Sequence, residues 1–142
     1  MRLTIDCGAR TGWAQWSDDW RLLACGACAP NEVPLGPYSY VAIEWPRERR
    51  GGRASTASLI ILAANAGIAL GRVGWPNAAR IDPSTWKGNV PKPAKGAPYI
   101  IATRCARALR SGEVGPPEWA WDAWDAVGIG LVLSHRLGRG CV

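Results

Sequence analysis

Short apolar runs broken by turn residues dominate the first third of the chain. They are residues 2–7, 13–16 and 20–25, separated by Gly8, Gly12 and the stretch Ser17-Asp18-Asp19. Their length and spacing predict three strands in an antiparallel meander. Prolines mark 29–37 as a loop that is either poorly ordered or a short helical crossing, and 39–45 is then predicted to be a strand that returns beside the first.

Helical patterns dominate the remainder. Residues 54–72 are apolar almost all round, which indicates a helix buried on more than one side, with one face on the sheet and another on a second subunit. A short strand is predicted at 78–82, and helices are predicted at 97–110 and 117–137. No run reaches the roughly 18 apolar residues that a bilayer span needs. We therefore predict one α/β domain over residues 1–142.

Four acidic residues fall at the ends of these predicted elements. Asp6 and Glu44 each end an apolar run, while Asp122 and Asp125 lie three apart in the last helix and share a face. Clustered carboxylates repel one another unless divalent cations lie between them. Mg²⁺ favours such oxygens, and a pair of ions can hydrolyse a phosphodiester. The pattern predicts two Mg²⁺ ions per site, with Mn²⁺ as a substitute.

The charge balance points to a polyanionic partner. The formal net charge is +6, and neutralising phosphates releases counterions. The basic stretch from Arg47 to Arg53 follows Glu44 closely, so we favour a DNA-contacting loop over a merely solvated one. The odd number of cysteines, five, and an acid at position 6, where a signal peptide would continue apolar, predict a reduced, cytoplasmic protein.

Other residues of these chemical types have simpler interpretations. Cys25 and Cys28 have redox or half-zinc spacing, but the chain has one His, so ordinary thiols are favoured. Glu118 could be a further ligand, although acids also favour helix N-termini. Asp82 ends a strand and precedes a proline, so it could be another acid of the site, but a turn-capping role is favoured. His135 is predicted to lie at a helix C-terminus, away from the acids.

Taken in order, the motifs resemble those of RuvC-type Holliday-junction resolvases, and the chain is short enough for a phage-encoded member. They are Ile5-Asp6-x-Gly8-x-x-Thr11-Gly12, Ala42-Ile43-Glu44, Trp86-Lys87 with the following Gly-Asn-x-x-Lys, and Asp122-Ala123-Trp124-Asp125-Ala126. The resemblance implies an RNase H-like fold with a five-stranded mixed sheet, three strands of which are antiparallel. It also implies a homodimer that nicks four-way DNA junctions symmetrically, leaving 5′-phosphate and 3′-hydroxyl ends.

The same resemblance assigns roles residue by residue. The four acids become the metal ligands, and Lys87, with Lys92 or Lys95, lies near the scissile phosphate or the junction backbone. The expected DNA-binding residues are Arg47, Arg49, Arg50, Arg53, Lys87, Lys92 and Lys95. This chain departs from the family at Arg47, where an aromatic that stacks in the junction is common, so stacking falls to Trp45 or is absent.

Two other functions fit the same residues. One is an RNase H-like nuclease that acts on another branched or hybrid nucleic acid, because the four acids would serve it equally. The other is a non-catalytic DNA-binding or virion protein on the same fold. The second is disfavoured because clustered carboxylates are costly without a metal.

Overall fold

A computed structural model describes residues 1–46, 55–88, 90, 93–94 and 96–138. The strands are β1 (Arg2–Asp6), β2 (Thr11–Trp16), β3 (Leu22–Cys28), β4 (Tyr40–Glu44) and β5 (Ala79–Ile81). The helices are α1 (Thr56–Val73), α2 (Ile100–Ala108) and α3 (Trp121–Gly138). Short 3₁₀ turns cover Pro30–Glu32 and Pro83–Thr85, the first of which is the predicted helical crossing.

The strands form one mixed sheet in the order β3-β2-β1-β4-β5. β1, β2 and β3 are antiparallel, whereas β4 runs parallel to β1 and β5 runs parallel to β4. The predicted five-stranded mixed α/β fold is therefore confirmed. The register places Ile5 beside Ile43, so β1 and β4 end at the same edge of the sheet.

Alternation along the central strands divides the core into two layers. Leu3 and Ile5 point toward the α1 side of the sheet, where they pack with Val41 and Ile43. Because side chains alternate along a strand, Thr4 points to the other side, toward α3. There its hydroxyl donates to the Ala126 carbonyl at 2.7 Å. The same alternation directs the carboxylates that end β1 and β4 toward α3.

Two helical glycines let α3 lie close to its neighbours. A Cβ at Gly130 would lie 2.2 Å from the Trp16 ring, and one at Gly128 would lie 2.5 Å from the Trp86 ring. Trp16 is fully buried and donates its indole N–H to the Thr4 hydroxyl at 2.9 Å. Close packing thus offsets the low helix propensity of both glycines.

α1 differs from its prediction because much of its apolar surface faces outward. Only Ala66, Ala69 and Leu70 are buried along it, whereas Ile60 and Ile61 are 64% and 58% exposed. The expectation of burial on more than one side is therefore wrong for the chain by itself. The prediction that no segment is long and apolar enough to span a bilayer is also wrong, since α1 has the required length and composition. Core helices of globular proteins meet the same two criteria.

Several boundaries move by a few residues for local reasons. α3 begins at Trp121 and not near Pro117, whose carbonyl instead accepts a hydrogen bond from the backbone N–H of Ala120. α2 ends at Ala108, so Arg110, the last residue of the predicted helix, lies outside it and pairs with Asp19 at 3.7 Å.

Candidate active site

The structure brings the four predicted acids together where β1 and β4 end against α3. Asp6 and Glu44 are the last residues of their strands, and their carboxylates point to the α3 side. Asp125 is fully buried on α3, and Asp122 lies one turn earlier on the same helix. Strand alternation and helix periodicity together account for the convergence.

Gly12 allows the first turn of α3 to approach the sheet this closely. It pairs with Asp6 across the antiparallel β1–β2 ladder. A Cβ at position 12 would lie only 1.8 Å from the backbone carbonyl oxygen of Asp122. Glycine is therefore required here by the close approach of two backbones, and it fixes how near Asp122 comes to Asp6.

Asp6 lies in an environment that opposes its negative charge. Burial raises its pKa well above the ordinary value, and the carboxylates of Glu44, Asp125 and Asp122 raise it further, against the opposing effect of Lys87. Its exposed fraction is 6%, and no described residue donates a hydrogen bond to its carboxylate. A buried carboxylate in this state needs a proton or a cation.

Lys87 is the cation that the described residues provide. Its ammonium lies 3.1 Å from Asp125 Oδ2 and 3.7 Å from Glu44 Oε2. Burial lowers the pKa of Lys87, but the carboxylates of Glu44, Asp125 and Asp6 outweigh burial and hold it above the ordinary value. Lys87 is therefore charged, and it neutralises part of the acidic cluster.

Two aromatic residues orient these carboxylates from outside the cluster. The indole N–H of Trp86 donates to Glu44 Oε2 at 2.8 Å. The hydroxyl of Tyr99 donates to Asp125 Oδ1, and burial together with this carboxylate raises the pKa of Tyr99 far above its usual range. Trp86 belongs to a sequence motif already noted, whereas no spacing along the chain marks Tyr99.

The donor set suits Mg²⁺ in its chemistry, because hard carboxylate oxygens are the ligands that this ion prefers. Within the described part of the chain, no group of three or more His, Cys, Asp or Glu side chains is placed so that it could hold a metal ion. Asp125 instead accepts a hydrogen bond from Tyr99 at Oδ1 and one from Lys87 at Oδ2. The Asp6 carboxylate, which is buried and accepts no hydrogen bond from a described residue, is the feature that best fits a cation.

The other acids and thiols lie in structural positions. Asp82 caps the 3₁₀ turn at Pro83–Thr85 by accepting from the Ser84 N–H at 2.9 Å. Asp18 and Asp19 lie in the β2–β3 turn, Glu118 lies in an exposed turn before α3, and His135 lies in the last turn of α3. Cys25 and Cys28 both lie on β3, and neither belongs to a potential metal cluster of described residues.

Most of the predicted DNA contacts cannot be placed against this site. Arg47, Arg49, Arg50, Arg53, Lys92 and Lys95 lie outside the described residues. Trp45, the alternative stacking residue, is partly buried, and the Arg80 guanidinium lies 4.1 Å from the centre of its ring. One face of Trp45 is thus covered by a cation.

Comparison with solved structures finds the same architecture elsewhere. The Thermus thermophilus RuvC structure superposes with a TM-score of 0.52, covering 96% of each chain at 17% sequence identity. The chain has a RuvC-like fold. No protein-family model and no curated protein matches the sequence. At this identity the likeness establishes the fold alone, and the chemistry has to be argued from the residues of this chain.

Proposed function

We propose that this protein is a metal-dependent endonuclease that resolves four-way DNA junctions by paired, symmetric nicks. The products would carry 5′-phosphate and 3′-hydroxyl ends. One observation carries the proposal: four carboxylates and one lysine converge at a single edge of a RuvC-like sheet. Such a cluster is costly for stability alone, which favours a catalytic role.

Each acid has a proposed part in holding the ions. Asp6, Glu44, Asp122 and Asp125 would be the ligands of two Mg²⁺ ions, or of Mn²⁺ in their place. When bound, the ions supply an activated water and stabilise the leaving oxygen of the phosphodiester. Trp86 and Tyr99 restrict the rotamers of Glu44 and Asp125, which keeps two carboxylates aimed at the same point.

Lys87 has a proposed role on both sides of the reaction cycle. Without metal it offsets the charge of Glu44 and Asp125. With metal ions held by these acids, the long side chain of Lys87 would be free to contact a phosphate oxygen of the substrate instead. In the metal-free site its raised pKa keeps it cationic.

Substrate choice rests on charge and on symmetry. The net charge of +6 favours a polyanion, and the proposed DNA contacts are Arg47, Arg49, Arg50, Arg53, Lys87, Lys92 and Lys95. The outward isoleucines of α1 support a homodimer, since a large exposed apolar face is unusual on a monomer. A two-fold dimer would match the symmetry of a four-way junction.

Competition binding and cleavage on matched DNAs test the proposal. Linear, Y-shaped and four-way DNAs of one sequence would be compared at near-physiological salt in Mg²⁺. We expect cleavage of the four-way junction, and an affinity well over an order of magnitude above that for linear duplex, because only a junction engages both subunits. Equal affinity and cutting across the three would instead support a general RNase H-like nuclease. Binding without cutting would support a scaffold protein.

A further inference from the structure

A cleft opens at the N-terminus of α3, close to the acidic cluster. It has a volume of about 340 Å³. Its lining includes Gly96, Pro98, Tyr99, Glu118, Trp119 and Trp121. Three aromatic rings, a proline and a glycine give it flat, largely apolar walls, with one carboxylate as the acidic group.

Trp119 is presented to solvent in this cleft. Its side chain is 76% exposed, although an indole is among the most favourable side chains to bury. The turn before α3 fixes its backbone, since the backbone N–H of Trp121 donates to the Trp119 carbonyl at 3.1 Å. An exposed indole that lines a cleft offers a flat face on which a flat ligand can stack.

The cleft and the acidic cluster share Tyr99. The ring centroids of Tyr99 and Trp121 lie 6.0 Å apart at an angle of 51°, and both residues line the cleft. The hydroxyl of that same Tyr99 donates to Asp125, and Trp121 directly precedes Asp122 in the chain. The residues that line the cleft are therefore direct neighbours of two of the four acids.

We propose that this cleft binds one unpaired nucleobase of the DNA substrate, next to the scissile phosphate. The inference rests on the proposed function and adds a feature of the substrate to it. A base has the flat face that aromatic rings stack on, and its neighbouring phosphate would reach the acids. The Glu118 carboxylate repels a phosphate in the cleft but accepts from an exocyclic amino group, such as N4 of cytosine.

The occupant is an unpaired base because a paired one cannot enter between these walls. A base within a duplex has both faces covered by its neighbours and its edge held by its partner. Branched DNA offers bases at the branch point that leave the stack at lower cost. The cleft thus selects DNA with an opened or strained branch over regular duplex.

Fluorescence of 2-aminopurine placed at each branch-point position of a four-way junction tests the inference. The full chain would be used in Ca²⁺ to limit cutting. Because the proposed dimer is two-fold symmetric, we expect quenching at one pair of symmetry-related positions, through stacking on Trp119, and loss of that quenching in Trp119→Ala. Junction affinity should fall by roughly 5- to 150-fold for each stacked base that is lost.

Matched variants separate stacking from a general effect on folding. Trp119→Phe should keep most of the quenching, because it retains an aromatic face. Leu35→Ala removes another exposed apolar side chain, 59% exposed and away from the cleft, and should bind like the wild type. Glu118→Gln should reduce discrimination between bases while leaving stacking intact.

Three results would overturn the inference in distinguishable ways. Junction binding that is equal in the wild type and Trp119→Ala, with no position-specific quenching, removes the base cleft and leaves the endonuclease. If the wild-type protein binds neither branched nor linear DNA, both the base-binding cleft and the proposed endonuclease function are ruled out. A changed mass in light scattering of Trp119→Ala, with DNA binding unaffected, would show that the cleft is a contact between protein chains.

Discussion

Replacing Gly12 by alanine should displace α3 without altering any of the proposed catalytic side chains. The new Cβ would lie 1.8 Å from the Asp122 carbonyl oxygen and 2.3 Å from its carbonyl carbon. An ordinary carbon–oxygen contact needs about 3.3–3.6 Å, so the strand and the helix must separate by about 1.5 Å. Both atoms belong to the backbone of Asp122, so the backbone has to move.

The cost of that movement can be estimated for stability and for catalysis separately. Overpacking of this kind lowers the free energy of unfolding by about 1–3 kcal/mol. A misplacement of about 1 Å in a catalytic constellation can lower the rate by roughly 100-fold. We therefore expect Gly12→Ala to fold, to bind junction DNA, and to cleave it at least about 100-fold more slowly.

Urea denaturation and single-turnover cleavage would measure the two effects. Gly71→Ala is the matched control, because a Cβ there meets no atom within 4 Å and alanine favours the helix by about 0.5–1 kcal/mol. Wild-type stability and cleavage in Gly12→Ala would refute the positioning role. An equal loss of activity in Gly71→Ala would show that the effect is not specific to α3.

Three further substitutions test separate parts of the structure. Thr4→Val removes the acceptor of the Trp16 indole N–H and should lower the free energy of unfolding by about 1–3 kcal/mol, measured in urea. Lys87→Met leaves buried carboxylates without their cation, so the metal-free protein should lose about 3 kcal/mol, and Mg²⁺ should raise its Tm more than that of the wild type. No difference in the Mg²⁺ effect would argue against a metal at these acids. Ile61→Glu should give a monomer mass in light scattering, while Val114→Glu, at an exposed residue between α2 and α3, should keep the dimer; a wild-type monomer would contradict the proposed interface.

The pattern of the sequence was sufficient to predict the sheet and the position of the acids on it. Period-two alternation gives Thr4 and Asp6 the same face, and Glu44 ends a strand of the same kind. Once the chain returns parallel to β1, these strand ends must be neighbours. The three-residue spacing of Asp122 and Asp125 then supplies a helix face opposite them.

Other features depend on tertiary contacts that no local pattern encodes. Tyr99 reaches Asp125 only because the segment before α2 folds across α3, and its sequence neighbours give no sign of this. α1 is apolar on almost all sides in the sequence, so its pattern could not show which isoleucines would be exposed and which residues would be buried. The short α2 and the start of α3 at Trp121 reflect turn hydrogen bonds, which propensity alone does not locate.

Cleavage of a labelled four-way junction in Mg²⁺ by the wild type and by Asp6→Asn tests the central claim most directly. Asp19→Asn is the control, since it makes the same substitution at an exposed turn residue that pairs with Arg110. The wild type and Asp19→Asn should nick the junction and leave 5′-phosphates, while Asp6→Asn should bind the junction and leave it uncut. Mg²⁺-dependent cutting at the wild-type rate by Asp6→Asn, or no cutting by the wild type, would contradict the account.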